Sequence, residues 1–391
     1  MNKKSTIFTQ ITQLLSQNSF RCIVNRYSGD KYSKRLSCWQ QFMIQLYGQI
    51  MGAKSLRDIE SSLKACDDKW SSIGLESVAR STFADANANR PHAIFGELFY
   101  SFLEKCQKLA PKHDFRIKSS VFSLDSTLIP LCLESFSWAK YRKRKGAMKL
   151  HMLLDHDGCL PSFILMSNGK CSDIRAAQNR EFGIADLPPD SILTIDRGYI
   201  DYKWLNVLQE RGITFIIRAK KNVNYDYVGQ HKECNIKQGV LEDQRVYKSG
   251  FYGEENYPEE LRLIRFRDSQ TGKEISVLTN NLKLAASTIG QLYKGRWEIE
   301  TFFKWIKQHL RVKTFIGTSI NALMTQIWTA MILYLLLSFI KFQTRCKKSL
   351  LELLRAIRSV LTHHKSILEV LRVNNDILDK IRKTPQQIAF Y

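Results

Sequence analysis

The sequence predicts a mixed α/β chain that begins and ends in helices, on three observations. Through roughly the first 110 residues apolar side chains recur at three- and four-residue spacing. From about residue 118 the pattern changes to short, β-branched apolar runs bounded by turn residues, three in succession and then alternating with helical stretches. A helical period returns after residue 283 and holds to the end.

In order, the N-terminal helices fall on "FTQITQLLSQ", "SCWQQFMIQLYGQIM", "SLRDIESSLK" and "PHAIFGELFYSFLEKCQKL". Between the last two, a second short helix after a turn at Ile73-Gly74 ends in small polar residues and Arg90. That pattern suits either a helix-turn-helix laid in a DNA groove or an ordinary surface helix. "SSVFSLDSTLIPL", "GAMKLHMLLDHDG" and "PSFILMSNG" read as three consecutive strands, the last two joined at Asp157-Gly158. A helix in "DIRAAQNREFGIADL", a buried strand "SILTIDRGY", a helix "DYKWLNVLQERG" and a strand "TFIIRAKK" follow, which together describe a mixed sheet with helices on its faces. Residues 222–283 hold Tyr-rich alternating segments and read as a β-rich insertion.

The chain has 59 basic and 37 acidic residues, a formal net charge of +22, so its natural partner is a polyanion, a nucleic acid or an acidic membrane surface. Nine cysteines without a C-x-x-C pair suit a reducing cytoplasm. The N-terminus lacks a secretory apolar core. "ALMTQIWTAMILYLLLSFIKF" is polar in its first half, and its apolar run falls short of the roughly 20 residues a span needs, so a buried core helix and no membrane are expected.

One stretch, "YKGRWEIETFFKWIK", carries the chemistry. On a single helix at about 100° per residue, Tyr293, Arg296, Glu300 and Lys307 share one stripe about 60° wide, beside a core face of Leu292, Ile299, Phe302, Phe303, Ile306 and Leu310. Glu298 points away from both. Stacked surface ion pairs explain Arg296 with Glu300 but not the other two. Two strands supply further carboxylates. Asp125 stands inside an apparently central strand, with Ser123 and Thr127 on its own face, and Asp196 lies where a buried strand gives way to a loop. If these strands are neighbours, Asp125, Asp196 and Glu300 form an all-oxygen site suited to Mg²⁺ or Mn²⁺. Two such ions, about 4 Å apart, would drive an in-line displacement at a phosphorus of DNA. Arg296 and Lys307 would bind phosphates, and Tyr293 would stack or hydrogen-bond near the cut end. The run Arg142, Lys143, Arg144 and Lys145 would add phosphate contacts.

Other polar groups have plainer readings. Asp157 belongs to its turn, Asp155 could support the site, His151 and His156 point to opposite faces of a strand and are not ligands, and Asp173 caps the helix after it.

These residues resemble the DDE transposases of bacterial insertion sequences, in the branch (insertion sequence four) marked by Tyr-x2-Arg-x3-Glu-x6-Lys. Tyr293, Arg296, Glu300 and Lys307 match that spacing, with Asp125 in "DST" and Asp196 in "DRGY"; the likeness covers about residues 118–345. The resemblance implies a helical DNA-binding domain over 1–112, an RNase H-like catalytic domain over 113–345 with its insertion at 222–283, and a helical tail over 346–391. It also implies two Mg²⁺ ions (or Mn²⁺) held by Asp125, Asp196 and Glu300, binding of the element's ends, a hairpin intermediate, strand transfer, a homodimer in synapsis and a cytoplasmic, nucleoid-associated life. In one respect the sequence departs from the family: members that form hairpins hold a flipped base with an insertion tryptophan, and residues 222–283 contain none. Tyr225, Tyr227, Tyr247, Phe251 and Tyr252 are the aromatic candidates there. A nuclease without strand transfer and a DNA-binding regulator that has lost its chemistry are the rival functions.

Overall fold

Apolar spacing sorts the chain into helices and one large sheet, seen in a computed structural model that describes residues 5–65, 75, 78–142, 145–179, 186–220, 223–232, 234, 236–250, 255–269, 271–309 and 316–371. Its contacts form two compact units. One joins Met1–Pro111 and Glu134–Phe136 with Lys304–Tyr391, and the other joins Lys112–Leu133 with Ser137–Phe303.

The first unit opens with α1 (Ile7–Thr12), α2 (Gln17–Arg26), α3 (Cys38–Met51), α4 (Leu56–Lys64), α5 (Arg80–Asn89) and α6 (Ala93–Leu109). Thr6, Ser16, Ser37 and Ser55 cap the first four, each side-chain oxygen accepting from a backbone N–H of the first turn. The turn proposed at Ile73-Gly74 lies outside the described residues. α5 turns Phe83 and Asn87 inward, and Gln41 on α3 donates to Asn87 at 2.8 Å. Arg90, at its end, donates to Gln41 Oε1 at 3.0 Å and to Ser33 and the Leu36 carbonyl. Its side chain is 12% exposed, so it closes α5 against α3 and is not displayed to a groove.

The second unit is built on β1 (Val121–Leu131), β2 (Lys140–Arg142), β3 (Lys145–Asp155), β4 (Leu160–Asn168), α7 (Asp173–Ala177), β5 (Ile192–Ile195), α8 (Tyr202–Glu210) and β6 (Thr214–Arg218), followed by β7 (Tyr225–Gln230), β8 (Val240–Lys248), β9 (Leu261–Arg267), β10 (Glu274–Thr279), α9 (Ala286–Gly295) and α10 (Trp297–His309). β1, β3 and β4 form an antiparallel meander, and β1, β5 and β6 run parallel. This is the RNase H-like core implied by the motifs. Gly158, at φ 69°, makes the meander turn that Asp157-Gly158 foretold. One face buries Phe122, Leu124, Leu193, Ile195 and Ile217 against Trp204, Leu205 and Leu208 of α8. The other buries Val121, Ile192, Ile216 and Val277 against Ile289, Leu292 and Tyr293 of α9. Both faces are therefore dry, which explains the nearly continuous apolar runs of β5 and β6.

The insertion is not a separate sheet. β10 pairs antiparallel with β6, matching Leu278 with Ile217, so the order continues from β6 through β10, β9 and β8 to β7. After α10 the chain returns to the first unit as α11 (Ile320–Thr344), α12 (Leu350–Ser359) and α13 (Ile367–Leu371). Among the described residues α11 alone is long and apolar enough to cross a membrane, yet it is buried on nearly all sides against α3, α5 and α6. The helix Ile320–Thr344, within the stretch expected to belong with the catalytic domain, makes its contacts with the N-terminal helices. The two ends of the chain are sewn together there: Ile7 N–H donates to the His363 carbonyl at 3.2 Å and Gln10 Nε2 to the Lys365 carbonyl at 2.6 Å.

Arg262 on β9 is fully buried and forms a two-pronged pair with Asp243 on β8, both contacts at 2.7 Å. Asp243→Ala is expected to cost about 3–5 kcal/mol, because it strands a buried guanidinium. Chemical denaturation should show this as an earlier unfolding of the variant, largely reversed in the double variant Asp243→Leu, Arg262→Met.

Candidate active site

Side chains alternate across a strand, so Asp125 shares the α9 face of β1 with Ser123 and Thr127. The parallel ladder pairs Ser123 with Thr194 and Leu124 with Ile195. Asp125 and Asp196 therefore each stand one residue past its last rung, side by side on adjacent strands. Asp196 sits where β5 ends and the short turn Arg197–Tyr199 begins.

The third carboxylate arrives on α10. The single helix expected through Tyr293 and Lys307 is in fact two, since α9 ends at Gly295, α10 begins at Trp297, and Arg296 forms the joint. The reason is local. Glycine weakens a helix, and at Gly295 an added Cβ would collide with the Phe115 ring, so this close approach admits no side chain. Arg296 nevertheless keeps right-handed helical dihedrals, φ −51° and ψ −29°, and backbone bonds from Arg296 N–H to the Tyr293 carbonyl and from Ile299 N–H to the Arg296 carbonyl, each at 3.2 Å, bridge the joint. Arg296, 5% exposed, directs Nη1 to Asp125 Oδ2 at 3.2 Å and Nη2 to Glu300 Oε1 at 2.8 Å. Tyr293, also buried, lies with its ring 5.7 Å from that guanidinium, a cation–π contact. As they stand, neither Tyr293 nor Arg296 offers a surface to a phosphate.

The electrostatics are those of crowded negative charge. Burial pushes the Asp125 carboxyl up to about 6; Glu300 and Asp196 push the same way, while the Ser126 N–H and Arg296 oppose them. Asp196 Oδ1 is buried and has no hydrogen-bond partner among the described residues, a costly state that a cation would relieve. Among the described residues no three Asp, Glu, His or Cys side chains converge tightly enough to grip an ion as they stand. The Arg296 guanidinium supplies the positive charge between Asp125 and Glu300. Three carboxylates, one with a bare oxygen, are nevertheless the donor chemistry that hard divalent cations favour.

The remaining expected residues are dispersed. Lys307 is half-buried on the part of α10 that belongs to the first unit. Lys143 and Arg144 lie outside the described residues, as do the side chains of Arg142 and Lys145. In the insertion, Tyr227 and Tyr247 are 63% and 41% exposed, whereas Tyr225 is tucked in with its hydroxyl 3.1 Å from that of Tyr202; Phe251 and Tyr252 are outside the described residues.

Among the other polar groups, the cap of α7 is Ser172, not Asp173. Asp173 instead accepts from Ser126 Oγ and from Lys149 Nζ, the latter at 2.7 Å, because Ser126 points to the face opposite Asp125 and meets α7 there. His151 and His156 do part company. His151 Nε2 lies 2.9 Å from Ser167 Oγ, and His156 Nε2 lies 2.7 Å from Ser123 Oγ. Asp155 is half-buried and accepts from the Asp157 N–H within the turn, while Asp157 is tied to Lys112 and the His113 N–H of the segment that follows α6. Ser123 and Thr194 are the polar partners that sequence reasoning passed over. Their signal was present: each is a hydroxyl residue two positions before an aspartate, in a strand that is otherwise apolar.

Residues 116–336 match the family described as Transposase DDE domain, and residues 3–76 match a Domain of unknown function (DUF4372). The chain is similar to transposase y4zB of Sinorhizobium fredii, at 30% identity over 78% of this chain and 85% of that one. It is also similar to a protein named as the transposase for insertion sequence element IS5377 of Geobacillus stearothermophilus, at 25% identity over 88% of this chain and 87% of the other. A third relative, named as the transposase for insertion sequence element IS4SA of Synechocystis, is 24% identical over 76% of this chain and 82% of its own.

Replacing Arg296 with Met removes the only cation seen between Asp125 and Glu300 among the described residues. A loss of about 1–3 kcal/mol in thermal stability is expected. Mg²⁺ should raise the melting temperature of this variant more than that of the wild type, read by scanning fluorimetry.

Proposed function

The chain belongs to the DDE transposase family, and from that premise we propose that it excises and integrates an insertion sequence by cutting DNA at the element's ends and joining the freed strands to a target. What carries this reading is the side-by-side position of Asp125 and Asp196 beyond the last rung of the β1–β5 ladder, with Glu300 brought to them through Arg296.

Asp125, Asp196 and Glu300 are the residues that would hold two Mg²⁺ ions, with Mn²⁺ able to substitute. Bound there, the ions would activate the attacking oxygen and stabilise the leaving one. The protein's own groups do the rest. Buried strands hold the two aspartates rigid, and α10 presents Glu300. Arg296 neutralises Asp125 and Glu300 in the free protein, then exchanges them for a backbone phosphate of the substrate. Tyr293 backs the guanidinium through its ring. Lys307 and the run Arg142 to Lys145 contact phosphates, in keeping with the net charge of +22. The N-terminal helices recognise the terminal repeats, and two copies of the chain pair the ends in the bacterial cytoplasm, at the nucleoid. Among aromatic residues of the insertion, Tyr227 and Tyr247 have the exposure that a base-stacking role requires.

Cleavage of DNA carrying the element's ends, with Mg²⁺ and with EDTA, tests the reading. Asp196→Ala and Glu300→Ala should each slow cutting at the boundary by at least about a hundredfold, the equivalent of several kcal/mol of transition-state stabilisation, while end binding persists. Binding without cutting in the wild type would sink the enzyme reading and leave a DNA-binding regulator; cutting without joining would leave a nuclease. A second measurement addresses the phosphate contacts. The logarithm of end-binding affinity should fall linearly with the logarithm of salt concentration, and Lys307→Ala should flatten that slope by about one.

A further inference from the structure

Two residues before each of the three carboxylates stands a polar side chain, and all three of these polar residues connect through one imidazole. Ser123 precedes Asp125, Thr194 precedes Asp196 and Glu298 precedes Glu300. His156 lies just after β3, 4% exposed, with its N–H donating to the Val121 carbonyl at the start of β1 at 3.0 Å. Its Nε2 is 2.7 Å from Ser123 Oγ, and Ser123 Oγ is 2.7 Å from Thr194 Oγ1 across the ladder. Its Nδ1 is 3.1 Å from Glu298 Oε2, which also accepts from the Cys159 thiol at 3.0 Å.

The contacts run in series from Glu298 through the imidazole to Ser123 and Thr194, the donor at the Ser123 steps being set by the tautomer of His156, and the Thr194 hydroxyl donates to the Phe122 carbonyl at 3.2 Å. The ring is held edge-on by Phe115, 5.5 Å between centroids, and the missing side chain at Gly295 lets the α9–α10 joint come down on both rings.

Ser123 and Thr194 are fully buried in central strands, where apolar residues would cost nothing to bury. Their polar contacts act on geometry. In a strand, residues i and i+2 face the same side, so tying Ser123 to Thr194 aligns the two backbones directly beneath Asp125 and Asp196. On a helix, positions two apart differ by about 200°, so tying Glu298 to His156 sets the rotation of α10 and with it the direction of Glu300.

We propose that His156 is a positioning residue, the hub of a polar brace that hydrogen-bonds to Ser123 and through it to Thr194 and lies at ion-pair distance from Glu298, and that this brace sets the mutual spacing of Asp125, Asp196 and Glu300 and thereby their affinity for a divalent cation. The inference rests on the reading of those carboxylates as a metal site. Glu298, which points away from the catalytic stripe when read from sequence, acts as the brace's anchor on α10.

The test is Mn²⁺ binding to the full chain, without DNA, followed by the electron paramagnetic resonance of the free ion, with a melting curve for every variant. Glu298→Ala and His156→Ala should weaken Mn²⁺ binding by about tenfold or more, whereas Glu298→Gln, which keeps a polar partner of the same size beside Nδ1, should remain within about threefold of wild type. Glu298 is nearly half exposed, so its variants keep the test decisive if His156→Ala does not fold. Wild-type affinity in folded Glu298→Ala would overturn the brace, as would equal losses in Glu298→Ala and Glu298→Gln, which would assign the effect to charge. Asp125→Ala separates the two levels of the argument. If the wild type binds no Mn²⁺, or if binding survives Asp125→Ala, the metal site itself fails and the brace falls with it; binding that is lost in Asp125→Ala but indifferent to Glu298 and His156 overturns the brace alone.

Discussion

Carboxylates gathered at one end of a sheet repel one another, and the Arg296 guanidinium between Asp125 and Glu300 is what lets them stand together in the free protein. Much of the second unit can be understood as the means of delivering that one cation. α9 packs its apolar side on the sheet, Gly295 gives Phe115 room for a close approach, and Arg296, at the joint of α9 and α10, reaches Asp125 and Glu300.

The same constraint fits the dry faces of the central parallel strands. A carboxylate interaction is strong only where water is kept away, and the apolar layers under α8 and α9 keep water from β1, β5 and β6 up to their ends. The aspartates sit at that boundary, half-buried: enclosed enough for their charges to matter, open enough to meet a substrate. The insertion strands extend the same sheet outward from β6, so whatever the exposed tyrosines of β7 and β8 touch is referred to the frame that holds the carboxylates.

The helical unit answers a different problem. A helix as apolar around its circumference as α11 needs neighbours on every side, and the chain provides them from its N-terminal helices and from α12. For this reason a segment that satisfies the length and composition of a membrane span is a core helix instead. Arg90 shows the same economy, since a basic residue that reads as a DNA contact is used to close α5 on α3.

The sequence by itself determined the division into helical and sheet segments, the meander turn at Gly158, the buried character of β5 and β6, the fate of α11 and the presence of carboxylates in β1, after β5 and on α10, because periodicity and side-chain chemistry are local properties that survive without coordinates; it did not show α2. Spacing also singled out Arg296 and Glu300, on a helical stretch that the structure divides at Arg296. Tertiary structure alone decided the joint at Arg296, the burial of Tyr293, Arg296 and Arg90, the continuity of the insertion with the core sheet, the packing of α11 on the N-terminal helices and the meeting of Ser123, Thr194, His156 and Glu298. Each of these depends on which side chain of a distant segment occupies the adjoining space: Phe115 at Gly295, Asp125 at Arg296, Ile217 at Leu278. No local pattern encodes a neighbour that lies about 60 to 180 residues away.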